Sequence, residues 1–155
     1  MGVMERLAEL GLELPTAPKP LAAYVPAVRV GRYVYTSGQV PIAGGELRFR
    51  GKVGAEIDIE HGYEAAKLCV LNALGAIKAE IGDLDKIERV IKVTGYVSSA
   101  RGFNRQPEVV NGASELLIKI FGDRGKHVRS AVGVAELPLG ASVEVEMSVL
   151  LKDGS

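Results

Sequence analysis

Residues 143–151 read VEVEMSVLL, a run in which almost every second side chain is apolar. This two-residue period predicts a β-strand with one buried face, because successive side chains of a strand point to opposite faces of a sheet. The other face of this strand carries Glu144, Glu146, Ser148 and Leu150, a mixture of charged and apolar side chains. Similar runs predict strands at residues 28–37, with a turn at Gly31, and at 87–98 and 128–134.

Two segments between these strands have helical periodicity. From Asp58 to Ile81 apolar side chains recur at steps of three and four residues, and Gly82 follows as a stop signal. Residues 107–121 repeat the pattern and are followed by Gly122. This order of elements predicts an α+β fold, a two-layer sandwich in which one mixed sheet carries two long helices on a single face.

The length of 155 residues is typical of one domain. A short helix is predicted over residues 3–12, and the three prolines between residues 15 and 20 predict an extended linker after it. We therefore expect residues 1–20 to form a helical, proline-rich appendage and residues 21–155 to form a single domain.

The composition argues against several classes of function. Nineteen basic side chains balance nineteen acidic ones, so no excess of positive charge favours nucleic acid or anionic membranes. One cysteine excludes an intrachain disulfide, and two histidines far apart in sequence fit no metal motif, so no metal is expected. Without an apolar signal region or a segment of about 20 apolar residues, we expect a cytoplasmic protein.

Arg129 is the charged residue with the most informative neighbours. Ala131 and Gly133 follow it at alternate positions, which leaves room around a guanidinium at a sheet surface. This arrangement suits a bidentate clamp for a carboxylate, and the alternative is an exposed or salt-bridged arginine. Glu144 is expected on the same sheet face, where it could position water or move a proton. Glu146 competes for that role, and the alternative is a cross-strand Arg–Glu pair that only stabilises the sheet.

That predicted face also indicates self-association. Small and apolar side chains beside isolated charges are not typical of a solvated sheet surface, so we expect another copy of the protein to cover it. A net charge of zero leaves little repulsion between copies.

Two motifs resemble a known family. The stretch YTSGQVP at residues 35–41, with Tyr24 upstream, is similar to the N-terminal motif of the RidA family, also called YjgF-like or endoribonuclease L-PSP. The stretch RSAVGVAELP at residues 129–138, followed by VEVE at 143–146, is similar to the C-terminal signature of that family. The resemblance extends over about residues 21–152.

The resemblance implies a chorismate-mutase-like fold and a homotrimer, with sheets packed into a central barrel and a ligand cleft at each subunit interface. It also implies an enamine and imine deaminase similar to 2-iminobutanoate/2-iminopropanoate deaminase. Such an enzyme hydrolyses 2-aminoacrylate-type intermediates to 2-keto acids and ammonia without a metal or organic cofactor.

By the same resemblance, Arg129 binds the substrate carboxylate and Glu144 acts on the attacking water. Pattern alone leaves the remaining candidates as ordinary surface, turn or helix residues, but the resemblance implies that they line the cleft: Tyr24, Ser37, Asn111 and Ala131. The family often has cysteine at position 131 and an acid at position 133. The small residues found there instead are expected to enlarge the pocket. Together with an N-terminal extension that is longer than usual, they indicate a longer, less characterised branch.

Two other functions stay open. The cleft could bind a small carboxylate without turnover, as a regulatory or scaffolding trimer. The old family label implies an endoribonuclease or translation inhibitor, but zero net charge, 5% aromatic residues and the lack of a histidine pair argue against RNA cleavage.

Overall fold

The structure, a computed structural model, describes residues 1–16 and 23–155, so the linker predicted at Pro18 and Pro20 lies outside the described residues. The helices are α1 (Val3–Glu9), α2 (Ile59–Ile81) and α3 (Gln106–Phe121). The strands are β1 (Ala27–Val30), β2 (Tyr33–Thr36), β3 (Ile42–Ala43), β4 (Glu46–Leu47), β5 (Ile87–Ser98), β6 (Val128–Val134) and β7 (Val143–Leu151).

Five strands form one mixed sheet in the order β1-β2-β7-β5-β6. All neighbours are antiparallel except β5 and β6, which run parallel because the chain returns through α3 between them. β7 therefore lies in the middle of the sheet, hydrogen-bonded on both sides, and β6 forms an edge. β3 and β4 form a separate two-stranded ribbon that turns at Gly44 and Gly45, both of which have positive φ.

The helices α2 and α3 cover one face of this sheet. The side chains on that face are fully buried along β5 and β7, as at Val93, Val97, Val143, Val145 and Val149. This confirms the predicted α+β architecture of one mixed sheet with two long helices on a single face.

No helix in the described ranges is long and apolar enough to cross a membrane.

Local interactions set where α2 begins and how closely it approaches α3. The carboxylate of Asp58 accepts the backbone N–H of His61 at 2.8 Å, which caps the first turn of α2. α2 ends at Gly82, where φ is +86°. A Cβ on Gly112 of α3 would collide with the backbone oxygen of Tyr63 in α2. The two helices therefore cross at direct backbone contact.

The opposite face of the sheet is uncovered. The register places exposed apolar and aromatic side chains on it: Val28, Val30, Tyr33, Tyr35, Val128 and Val132. The row of β6 residues predicted on this face was wrong. On β6 this face carries the valines, and the row that contains Arg129 points to the side of α3.

The first helix is part of the hydrophobic core. Val3 and Leu7 are 2% and 1% exposed, and the backbone N–H of Val3 donates to Asp85 Oδ1 at 2.7 Å. Arg6 Nε donates to the carbonyl of Lys119 in α3 at 2.9 Å. The helix predicted within the N-terminal appendage therefore packs on the rest of the domain, which covers its apolar stripe. The domain boundary at residue 20 stays a prediction.

We expect Leu7→Ala to lower the free energy of unfolding by about 2–4 kcal/mol, since it removes a buried leucine side chain and leaves a cavity. Met4→Ala is the matched control, because Met4 lies on the same helix and is 43% exposed. Urea denaturation of both variants measures the difference. Equal, small losses for the two variants would contradict the docking of α1.

Candidate functional site

Arg129 lies on the edge strand β6 and reaches toward α3. Its Nη1 donates to Asn111 Oδ1 at 2.8 Å and to Ser114 Oγ at 3.2 Å. These two bonds use both hydrogens of Nη1, and no protein acceptor in the described ranges contacts Nε or Nη2. The Nε–Nη2 edge of the guanidinium therefore remains available, and this edge matches the geometry of a bidentate carboxylate.

The structure places Asn111 and Ala131 beside Arg129. Asn111 anchors the guanidinium, and Ala131 is the next residue of β6 on the same face. Sequence reasoning missed Ser114. It lies three residues after Asn111 on α3, and that spacing was the available signal, because residues at i and i+3 share a helix face.

The space beside Gly133 is occupied. A Cβ on Gly133 would come within 2.6 Å of Gln106 Nε2 and 2.9 Å of Ser99 Oγ. Gln106 Nε2 is held there by donating to the carbonyl of Phe103 at 2.9 Å and to Ser99 Oγ at 3.2 Å. The expected enlargement of the pocket is therefore wrong at Gly133, because an amide from the start of α3 takes the place of a side chain.

Glu144 lies on the uncovered face of the sheet and is half-buried. Within the described ranges no hydrogen bond or ion pair holds its carboxylate, whereas the neighbouring Glu146 accepts from Tyr96 Oη at 2.7 Å. Burial, and secondarily the charge of Glu146, raise the pKa of Glu144 above its ordinary value. The hydrogen bond to Glu146, together with burial, raises the pKa of Tyr96 to about 12. Of the two candidate glutamates, Glu146 is held by Tyr96, whereas Glu144 has no such hydrogen bond in the described ranges.

The segment containing Ser37 and Gly38 lies beside Glu144. A Cβ on Gly38 would collide with the Glu144 carboxylate, and the backbones of Gln39 and Val145 exchange hydrogen bonds of 2.8 and 2.9 Å. Asn72 of α2 holds the next residues of this segment in place, because its Nδ2 donates to the backbone carbonyls of Val40 and Ile42. The segment around Ser37 therefore packs next to Glu144.

Ser37 and Tyr24 are placed by the chain that enters β1. Ser37 Oγ donates to the carbonyl of Val25 at 2.6 Å, and its backbone N–H donates to the carbonyl of Pro26 at 2.8 Å. Tyr24, which precedes Val25, is 66% exposed. The structure thus places Ser37 next to Gly38, which contacts Glu144, whereas the contacts of the described residues do not connect Tyr24 to Glu144. In the described part of the chain, no group of three or more His, Cys, Asp or Glu side chains is placed to hold a metal ion.

The candidate residues form two separate half-sites on opposite faces of the sheet. Arg129 pairs in register with Val93, whose side chain is buried under the helices, whereas Glu144 pairs with Tyr96 on the uncovered face. The expectation that Arg129 and Glu144 share a face was wrong, and a direct pair between β6 and β7 is excluded because β5 lies between them. One copy of the chain therefore does not bring the two half-sites together.

Comparison with known proteins identifies the family. Residues 4–149 match the family described as "YjgF/chorismate mutase-like, putative endoribonuclease". The chain belongs to the YjgF (RidA) family. This member is similar to protein TCP17 of Trypanosoma cruzi, with 40% identity over 97% of this chain and 95% of that protein.

Two further similarities connect this YjgF-family chain to a named activity and to a solved structure. It is 33% identical to a 2-iminobutanoate/2-iminopropanoate deaminase of Dermatophagoides farinae, over 91% of this chain and 95% of that enzyme. Its fold is similar to the crystal structure of Atu1372, a protein of unknown function from Agrobacterium tumefaciens. That comparison gives a TM-score of 0.91 and 44% identity over 97% of this chain and 92% of the other.

We expect Glu146→Gln to lower the pKa of Glu144, because it removes a neighbouring negative charge that opposes ionisation. Burial persists in this variant, so the pKa of Glu144 stays above its ordinary value. An NMR titration of the glutamate carboxyl carbons measures the shift. Glu136→Gln, at an exposed position away from Glu144, is the control and leaves the titration unchanged. An unmoved Glu144 curve in Glu146→Gln would contradict the coupling.

Proposed function

We propose that this protein is an enamine and imine deaminase that hydrolyses 2-aminoacrylate-type intermediates to 2-keto acids and ammonia. The observation that carries the proposal is the Nε–Nη2 edge of Arg129, which has no protein acceptor among residues 1–16 and 23–155, on a guanidinium whose Nη1 is anchored to α3. The similarity to a 2-iminobutanoate/2-iminopropanoate deaminase at 33% identity supports it. The cytoplasmic location expected from the sequence belongs to the same proposal.

In the proposed reaction Arg129 binds the substrate carboxylate through two parallel N–H···O bonds. The imine carbon is bonded directly to that carboxylate carbon, so the clamp also fixes the position of the electrophile. Such fixing supplies much of the rate when the reaction itself is easy, because it replaces random encounters with one geometry. Asn111 and Ser114 keep the guanidinium from rotating away.

Glu144 then acts as the general base. Its raised pKa and lack of a protein partner leave the carboxylate able to accept a proton from water while the water oxygen bonds to the imine carbon. The resulting carbinolamine carries a hydroxyl and an amino group on one carbon. Glu144 first returns the water proton to the imine nitrogen, which completes that amino group. It then moves the hydroxyl proton to the same nitrogen as the C=O bond forms and the C–N bond breaks, so that a 2-keto acid and ammonia leave. Water supplies the oxygen of the product.

The reaction needs a second copy of the chain, because Arg129 and Glu144 lie on opposite faces of one sheet. We propose a homotrimer in which the Arg129 half-site of one copy meets the Glu144 half-site of another. The exposed valines and tyrosines of the uncovered face support burial between copies. Tyr24 and Ser37 enter the cleft with Glu144, and Asn111 and Ala131 enter it with Arg129.

The activity test uses purified protein with 2-aminoacrylate generated in place by a dehydratase. We expect the wild type to accelerate ammonia release, whereas Arg129→Ala and Glu144→Gln lose at least about tenfold of that acceleration. Arg101→Ala, at an exposed arginine in another loop, is the matched control. Unchanged rates in both site variants would refute the mechanism. Tight binding of a 2-keto acid without any acceleration would instead favour a non-catalytic carboxylate-binding role.

Mixing the two inactive variants tests whether the site is shared. Random trimers of Arg129→Ala and Glu144→Gln chains should contain about a quarter intact sites, since each site would take one half from each neighbour. We therefore expect mixed assembly to restore activity to about one quarter of the wild type. Light scattering should give about 49 kDa, three times the 16.4 kDa chain. A monomer, or no recovery after subunit exchange, would contradict the shared site.

A further inference from the structure

The hydroxyl of Ser114 has a second partner besides Arg129. His127 lies just before β6, and its Nε2 is 2.9 Å from Ser114 Oγ. The other ring nitrogen, Nδ1, is 2.6 Å from the carbonyl oxygen of Gly125. Arg129, Ser114, His127 and Gly125 therefore form one continuous row of hydrogen bonds.

The direction of each bond in this row follows from its ends. The Gly125 carbonyl only accepts, so Nδ1 of His127 carries a hydrogen and donates it. In a neutral imidazole Nε2 is then an acceptor, and it takes the hydroxyl hydrogen of Ser114. Burial lowers the pKa of His127, which favours this neutral form; the Gly125 bond opposes that shift and the nearby Arg129 charge adds to it.

With its hydrogen committed to His127, Ser114 Oγ presents only lone pairs to Arg129. Without that commitment the hydroxyl could rotate and donate to a carbonyl of the preceding helical turn, as serines in helices often do. The lone pairs are what Nη1 needs, because a guanidinium only donates. The bond to His127 therefore directs the hydroxyl hydrogen away from Nη1 and a lone pair of Ser114 Oγ toward it.

We propose that His127 is a positioning residue: as its neutral Nδ1–H tautomer it orients Ser114, which holds Arg129 with its Nε–Nη2 edge facing the substrate carboxylate. This inference rests on the proposed function, because it concerns how Arg129, the residue proposed to bind the substrate carboxylate, is held in place. It assigns His127 no contact with the substrate.

The binding test uses pyruvate, a stable 2-keto acid, with the full chain at fixed pH and calorimetry as the readout. We expect Ser114→Ala and His127→Leu each to weaken pyruvate binding about three- to tenfold, the effect of one lost hydrogen bond. His127→Gln keeps an acceptor within reach of Ser114, so it should restore affinity to within about twofold of the wild type. The double variant Ser114→Ala/His127→Leu should bind no more weakly than Ser114→Ala alone, because His127 acts through Ser114.

NMR supplies a readout that needs no ligand. Long-range nitrogen–proton spectra should show His127 as the Nδ1–H tautomer, and the Arg129 Nε–H signal should shift in His127→Leu and return in His127→Gln. An Nε2–H tautomer, or an Arg129 signal indifferent to both variants, overturns the inference. So does unchanged pyruvate affinity in His127→Leu. If the wild type binds no pyruvate, the proposed function fails, and the NMR result still decides the role of His127.

Discussion

The pairing of β7 with both β2 and β5 is the constraint on which the rest of the molecule depends. The middle strand of a sheet must satisfy its backbone on two sides, and its alternation of buried and half-buried residues assigns each neighbouring side chain to one face. Valines fill the face under α2 and α3, and Glu144 and Glu146 are forced to the other. β5 pairs with β7 on one side and with β6 on the other. β6 is therefore the edge strand, where Arg129 is accessible to a ligand.

The division into two half-sites gives each charge a different environment. Arg129 is held by neutral partners, Asn111 and Ser114, so its positive charge is not cancelled within its own half-site. Glu144 has the opposite situation, since burial and, secondarily, the negative charge of Glu146 raise the pKa of its carboxyl group. A cation without a counterion and a carboxylate that resists ionisation are complementary. On one chain they lie on opposite faces of the sheet and do not meet.

Much of the fold could be predicted because it depends on short-range patterns. The alternation at residues 143–151 and the helical periodicity after Asp58 each report a buried face directly. The register of β6 could not be predicted in this way. The valines of β6 suggest that they face the core. Near α3, however, Val110 packs directly against Gly95, so the buried face of β6 carries small residues and the anchored Arg129 instead. The docking of α1 was hidden for another reason, since its partner Asp85 is 82 residues away.

The candidate site was predicted in its residues and not in its arrangement. Motifs name side chains such as Ser37 and Glu144, but which sheet face each occupies depends on strand order, which a linear pattern does not contain.

The amide of Gln106 beside Gly133 has a further consequence. The two positions compete for one volume, so a bulky or acidic residue at 133 is compatible only with a different residue, or a different rotamer, at 106. A side chain at 133 would therefore displace the Gln106 amide from its hydrogen bonds to Phe103 and Ser99 at the start of α3.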